Sequence, residues 1–395
     1  MEDGDAMRIG VAPRVAAIAA LLVITPAAWS ARRIQQQAGG VWDGPPAAAL
    51  ADSTFARLVA QLSESGGYFD SDNLMSNEAS YLHVLGRMRA LGVSGGAYLG
   101  VGPDQNFSYI AQVRPRIAFI IDIRRDNLLQ QLIFKAAFAR ARNRAEYLAL
   151  LFGRPTPRNS QRFDGSTIEQ LVAWVDSTPT TPDAAAAAQG AILSTVRAFG
   201  VPLDERDLET IGRFHRTFID GGLDMRYTSH NRPPRPYYPT YRQLLLERDL
   251  TGKQASYLAS EADFRVVKSL EDRHLIIPVV GDLAGDHALT AIAKLLAERG
   301  EKVSAFYTSN VEQYLMRDGV SFDRFAANLR RLPRDPRSVI IRSYFGGGFW
   351  QPHPNAVPGY YSTQLLQTID SFVTEYDGGG YQTYRDVVTK HVLEP

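Results

Sequence analysis

Gly96-Ala97-Tyr98-Leu99-Gly100-Val101-Gly102-Pro103-Asp104-Gln105-Asn106 decides the fold of this chain. A short apolar run leads into glycines and a proline, and a helix is predicted to begin near Gln105. Glycines at such a turn let the main chain approach a ligand where a Cβ would obstruct it. The next apolar run, Ile117-Ala118-Phe119-Ile120-Ile121, ends in Asp122. Continuous apolar runs suit strands covered on both faces, as in a parallel sheet. From Gly102 to Asp122 is 122 − 102 = 20 residues, the span of one strand-turn-helix-strand unit.

The same rhythm extends both ways. Upstream, helices are predicted over 52–64 and 77–91, separated by a polar, glycine-containing stretch from Ser65 to Asn73. Downstream, a long helix is predicted from Asp126 to Ala149. Residues 153–260 carry helical spacing at 166–176, 183–199 and 205–219 but no convincing buried strand, and Pro233-Pro234-Arg235-Pro236 must be a loop. Strands return at Leu275–Val280, Val303–Tyr307 and Ser338–Ser343, with a helix over 286–299 and a short one through Tyr314. The tail is read as loops with one or two helices. The expected class is therefore α/β: an open, mostly parallel Rossmann-like sheet with a large helical insertion and an N-terminal signal or anchor segment. The divisions are 1–31 signal peptide or anchor, 32–50 linker, 51–152 first part of the sheet domain, 153–260 insertion, 261–345 second part, and 346–395 C-terminal loops and helix.

Bulk properties exclude several chemistries. With 395 residues, 45% hydrophobic and 22% charged, the chain can bury a large core without staples. It has no cysteine, so thiol nucleophiles, thiolate metal sites and disulfides are absent. A net charge of +1 gives no indication of a nucleic-acid partner. The seven histidines lack metal-ligand spacing, so no metal site is expected. Neither a Gly-x-Ser-x-Gly elbow nor a phosphate-binding Gly-x-x-x-x-Gly-Lys-Ser/Thr loop occurs. At the N-terminus an apolar run from Val15 to Ala31 lies between Arg8, Arg14 and Arg32, Arg33. It reads as a signal peptide cleaved after Ser30 or as an uncleaved anchor, and it is the only expected contact with a membrane.

Ligands of open α/β sheets bind at the carboxyl ends of strands, and each predicted strand ends in glycine or polar residues. Gly100 and Gly102 would face a small-molecule ligand, with Asp104 and Asn106 beside them. Asp122 could accept hydrogen bonds from two ribose hydroxyls, or merely cap the next helix. Arg124 could neutralise a ligand carboxylate or phosphate, or solvate that helix. Asp282, ending the strand at 275–280, is the candidate general base, with a helix cap as the alternative. Two segments, Ser76-Asn77-Glu78-Ala79-Ser80-Tyr81 and Ser309-Asn310-Val311-Glu312-Gln313-Tyr314, combine Ser-Asn with a nearby Glu and Tyr. Both fit helix capping. Alternatively Asn77, Glu78, Tyr81, Asn310, Glu312 and Tyr314 line the cleft, and Glu78 would suit a ligand amino group.

Tyr98–Asn106 with Ile121-Asp122 resembles the first two motifs of class I S-adenosylmethionine-dependent methyltransferases, over roughly residues 80–150. That resemblance implies a Rossmann-like fold, S-adenosylmethionine as methyl donor, and Gly100, Gly102 and Asp122 as its contacts. Tyr98 stands where an acidic residue usually precedes the glycines, and Asp104 where a third glycine is common. The whole chain is also similar to a set of uncharacterised bacterial proteins sharing its Ser-Asn-Glu, Gly-Val-Gly-Pro-Asp-Gln-Asn and Ser-Asn-Val-Glu-Gln-Tyr segments. The expected function is thus a methyltransferase-like protein acting on an unknown acceptor. The alternative is a non-catalytic, exported or membrane-anchored protein that binds a small ligand on the same fold. A nicotinamide-dependent oxidoreductase is weaker, because Gln105 replaces the third glycine of Gly-x-Gly-x-x-Gly. S-adenosylmethionine is cytosolic, so a periplasmic location favours the binding protein and an inward-facing anchor or a wrong start the enzyme.

Overall fold

All five predicted strand segments fall in a single six-stranded sheet of the computed structural model, which describes residues 47–233, 235–346 and 352–395 together with Met1. The expected signal or anchor segment lies outside the described residues, as does most of the linker after it. Among the described residues, no helix is long and apolar enough to cross a membrane. The strands are β1 (Ala97–Val101), β2 (Ile117–Asp122), β3 (Ile276–Val280), β4 (Val303–Ser309), β5 (Arg334–Phe345) and β6 (Ser362–Thr368). They stand in the order β3-β2-β1-β4-β5-β6. The first five are parallel, and β6 runs antiparallel to β5.

Helices enter in chain order. Before β1 come α1 (Asp52–Leu62) and α2 (Leu85–Ala90). Between β1 and β2 lies α3 (Gln105–Val113). The β2-to-β3 connection holds α4 (Arg125–Arg140), α5 (Arg144–Leu151), α6 (Ile168–Ser177), α7 (Pro182–Ala198), α8 (Glu205–Gly221), α9 (Tyr241–Leu246) and α10 (Glu261–Asp272). After β3 come α11 (Ala288–Glu298), α12 (Val311–Leu315), α13 (Val320–Arg331), α14 (Ile369–Asp377) and α15 (Tyr384–Thr389). Helices α3, α4 and α10 pack together as one layer, and α1, α11, α13 and α14 as another. The strands between them are buried almost throughout, which explains why they are apolar without alternation. Helices α7 and α8 pack on α4 and on each other, extending the first layer outward.

Three expectations are corrected. The helix predicted over 77–91 is confined to α2, and residues 79–84 form turns. The long helix from 126 to 149 is two helices, because Asn143 turns back and its side chain accepts from the Glu146 N–H at 3.1 Å, capping α5. The tail contains a strand, β6, that hydrophobic pattern does not reveal. Its buried residues include Ser362, Gln364 and Gln367, each hydrogen-bonded to a side chain elsewhere in the protein.

The register brings the carboxyl ends of the strands level. Val101 pairs with Ile121, Asp122 with Val280, and Gly100 with both Ile120 and Tyr307. From β1 the chain winds outward to β2 and β3, then returns to β4 on the other side of β1. A crevice opens where winding reverses, because the connections diverge there.

Candidate functional site

At that reversal lies a cavity of about 320 Å³, at the lower end of the range for small-molecule sites. Val101, Gly102 and Gln105 contribute from the β1 turn, Ile121, Asp122, Ile123 and Arg124 from the β2 end, and Gly281, Asp282 and Leu283 from the β3 end. Tyr307, Ser309 and Asn310 close it from β4. Gly102 has a φ of +81°, a conformation that side-chain-bearing residues rarely adopt. A Cβ there would lie 3.3 Å from Asn73 Nδ2, across the narrow part of the cavity.

The remaining wall comes from residues before β1. The Glu64 N–H donates to Val280 O at 2.9 Å, and the Gly67 N–H to Ile123 O at 2.7 Å. These bonds carry the chain across the ends of β3 and β2. A Cβ on Gly67 would lie 2.7 Å from Ile123 Cγ1, so a side chain there would displace Ile123 from the cavity wall. Beyond it, Tyr68, Phe69, Asn73, Ser76, Asn77 and Glu78 face the cavity.

Glu78 is the most unusual group in the site. It is 1% exposed and has no ion-pair partner among the described residues. Instead it accepts from Ser309 Oγ at 2.5 Å, from Tyr307 Oη at 2.6 Å and from Gln364 Nε2 at 3.4 Å. Burial pushes its carboxyl above the usual range, although these neutral donors pull the other way. Behind it, Gln105 Nε2 donates to Tyr307 Oη at 3.0 Å, so the turn after β1 and Glu78 are joined through one phenol. Gln105 Oε1 is buried without a partner.

Asp122 lies in the cavity wall, but its oxygens are engaged. Arg124 donates from Nε to Oδ1 at 3.1 Å and from Nη2 to Oδ2 at 2.9 Å, and its N–H also reaches Oδ1 at 3.0 Å. Arg124 Nη1 holds Ser71 O and Asp72 O at 2.9 and 2.7 Å. These donors tie the wall loop to β2, and Arg124 itself lines the cavity. Asp282 also faces the cavity. Its Oδ1 accepts from the Ala284 N–H at 2.8 Å, and its own N–H donates to Glu64 Oε1 at 2.7 Å. Oδ2 has no hydrogen bond to a described residue, leaving one oxygen for a ligand.

Five other candidates lie away from the cavity. A Cβ on Gly100 would meet Asn106 Oδ1 at 1.9 Å and Tyr98 Oη at 2.8 Å, so that glycine makes room for protein, not ligand. Asn106 accepts from Tyr98 Oη at 2.8 Å and donates to Val101 O and Pro103 O, bracing the turn from behind. Asp104 points to the opposite side, accepting from Tyr241 Oη and from Tyr257 Oη (3.0 Å). Burial raises it to about 6 despite those bonds. Tyr81 donates to Leu244 O at 2.9 Å and is buried in packing. Glu312 is fully buried in an ion pair with Arg342 at 2.7 Å. Of the paired Ser-Asn segments, Asn77, Glu78, Asn310 and Tyr314 do converge on the cavity.

Sequence reasoning missed Tyr307, Ser309, Gln105 and the wall residues 68–76. Ser309 alone carried a usable signal, its place at a strand end. Its φ of +53°, like the +48° of Asn73, puts side-chain-bearing residues in left-handed conformations at the cavity, a feature concentrated at functional sites.

A family model described as a domain of unknown function, DUF7790, matches residues 74–161 and 226–390. The two matched segments contain the β1 turn, Asp122, Glu78, Asp282 and Ser309, and the gap between them holds α6, α7 and α8 entire. No curated protein matches the chain.

Proposed function

The chain belongs to the DUF7790 family, a domain of unknown function, and we propose that it is a methyltransferase-like protein of Rossmann-like fold that binds S-adenosylmethionine. The observation that carries this reading is one cavity, at the winding reversal, that runs from Gly102 and Asp122 to the unpaired carboxylate of Glu78. The strand order supports it, with the residues between α4 and α10 read as an insertion into the sheet domain.

The residues fit the parts of such a ligand. Gly102 offers bare main chain, and the partnerless Gln105 Oε1 is an acceptor in search of a donor. A carboxylate has about four lone-pair sites, and Arg124 fills three of them on Asp122, so Asp122 can accept one ribose hydroxyl while Arg124 holds it in place. Asp282 Oδ2 would receive an exocyclic amino group, with Ile123 and Leu283 as apolar sides to a flat base. Glu78 would take the ammonium of the amino-acid tail, an ion pair that its raised carboxyl now lacks. S-adenosylmethionine, when bound, supplies a methyl group on an already positive sulfur, so positioning provides much of the rate. Asn77 and Asn310, at the outer end of the cavity, would orient the acceptor, and Tyr68, Phe69 and Tyr314 would exclude water.

Calorimetric titration of the purified chain with S-adenosylhomocysteine tests this. We expect binding, weakened at least about tenfold by Glu78→Gln, whereas 5′-methylthioadenosine, which has no amino-acid tail, should bind both forms equally. No heat from either ligand would remove the proposal. A second reading, binding without turnover, is favoured by one feature: no histidine or lysine lines the cavity among the described residues. Binding of S-adenosylhomocysteine with no transfer of a labelled methyl group to any acceptor tried would select it.

A further inference from the structure

The mouth of the cavity widens into a vestibule of about 530 Å³. Asn77, Asn310 and Tyr314 line both spaces, so the vestibule continues the cavity outward. Its walls carry three arginines against one carboxylate. Arg232 pairs with that carboxylate, Asp70, at 2.7 Å. Arg235 and Arg317 have no carboxylate partner among the described residues; they are held on aromatic rings. The Arg317 guanidinium lies 4.4 Å from the Tyr314 ring centre, and that of Arg235 lies 5.8 Å from the Tyr237 and Tyr238 rings and donates to Tyr237 Oη at 2.6 Å. Stacking of this kind fixes a guanidinium plane without cancelling its charge. In a chain of net charge +1, two uncompensated cations at one cavity mouth form a local positive field that draws anions inward. Edge donors on each guanidinium match the oxygens of a carboxylate or phosphate, and the tyrosines offer faces to a flat ring.

We infer that the vestibule receives a planar anion, an aryl carboxylate or aryl phosphate, whose charged end is held by Arg235 and Arg317. Its identification as the acceptor class rests on the methyl-donor reading of the inner cavity; the anion site itself does not. Arg317 lies beyond the short helix α12 that begins at the end of β4, so the anion is anchored on the same segment that supplies Ser309 and Asn310 to the cavity.

The experiment is calorimetry on the full chain with 4-hydroxybenzoate, phenyl phosphate and the uncharged 4-hydroxybenzamide, and separately with S-adenosylhomocysteine. At least one anion should bind, the amide at least about tenfold more weakly. The double variant Arg235→Gln/Arg317→Gln should lose the same factor for the anion and leave S-adenosylhomocysteine unchanged. Raising salt should weaken the anion alone. A thermal melt confirms that the variant is folded; if it melts early, Arg317→Gln alone and the salt dependence give the same readout. Silence from both anions, equal binding of the amide, or an unchanged affinity in the folded variant overturns the vestibule proposal. Arginine-dependent anion binding without S-adenosylhomocysteine binding supports the vestibule and overturns the donor reading instead. The stronger of the two anions identifies the headgroup.

Discussion

Ser309 Oγ reaches Glu78 Oε1 at 2.5 Å from a backbone whose φ is +53°. The bond joins the segment before β1 to the end of β4. A left-handed conformation costs a side-chain-bearing residue about 1–2 kcal/mol, so the bond and the packing around it hold Ser309 in place. Ser309→Gly should relieve that cost while losing the hydroxyl, whereas Ser309→Ala keeps the cost and loses the hydroxyl. We expect Ser309→Ala to be less stable than Ser309→Gly by about 1 kcal/mol in urea denaturation. An equal effect of both would mean that the backbone there is not strained.

The two glycines of the β1 turn should separate cleanly. Gly100→Ala drives a methyl into Asn106 Oδ1 and the Tyr98 ring, breaking the brace behind the turn and costing about 3 kcal/mol. Gly102→Ala costs about 1–2 kcal/mol through its positive φ but narrows the cavity against Asn73. Thermal melts should rank Gly100→Ala as the less stable variant. S-adenosylhomocysteine titration of folded Gly102→Ala should show the larger loss of affinity. The reverse ranking in both measurements would mean that the turn is read the wrong way round.

Asp104 makes folding pH-dependent. Its carboxyl, about 6 in the folded protein and 3.8 as the ordinary value, binds its proton more tightly when folded. The stabilisation is full below pH 3.8 and is lost as pH rises through about 6. The loss amounts to about 3 kcal/mol. Asp104→Asn stays neutral throughout, so its denaturation midpoint should fall less than that of the parent chain between about pH 4 and pH 7. Parallel profiles for the two proteins would count against a buried, titrating Asp104.

The strand run at 97–101, the glycine turn and Asp122 were legible because each rests on local pattern: apolar continuity, a bare turn and a 20-residue spacing. β6 was not, because buried glutamine, serine and threonine residues imitate a surface segment. Glu78 was legible as a charge near a strand, yet its burial among neutral donors depends on Tyr307, Ser309 and Gln364, which are 229 to 286 residues away in sequence. Gly100 and Glu312 misled for the complementary reason. Sequence gives the direction of neither side, and here both turn toward the protein's own interior.

Glu312 tests that last point. It lies with Arg342 at 2.7 Å, both fully buried, and Arg342 Nη1 also donates to Gln367 Oε1 at 2.6 Å. Removing one member of such a pair strands the other charge at a cost of about 3–5 kcal/mol. Glu312→Ala should therefore lower the urea midpoint sharply. A folded Glu312→Ala of normal stability with lost ligand affinity would instead restore Glu312 to the cleft.

The β2-to-β3 connection bears on how the molecule assembles. Asp122 and Val280 are ladder partners 280 − 122 = 158 residues apart, and closing so long a loop is entropically costly unless the helices between them condense first. β3 sits at the end of the sheet, so it can be added late, once β1, β2 and β4 have paired. Refolding should then be slow for a chain of this helix content. Gly281, Asp282 and Leu283 would be among the last residues to arrive, and a ligand in the crevice would act late in folding, as a clasp on that final strand.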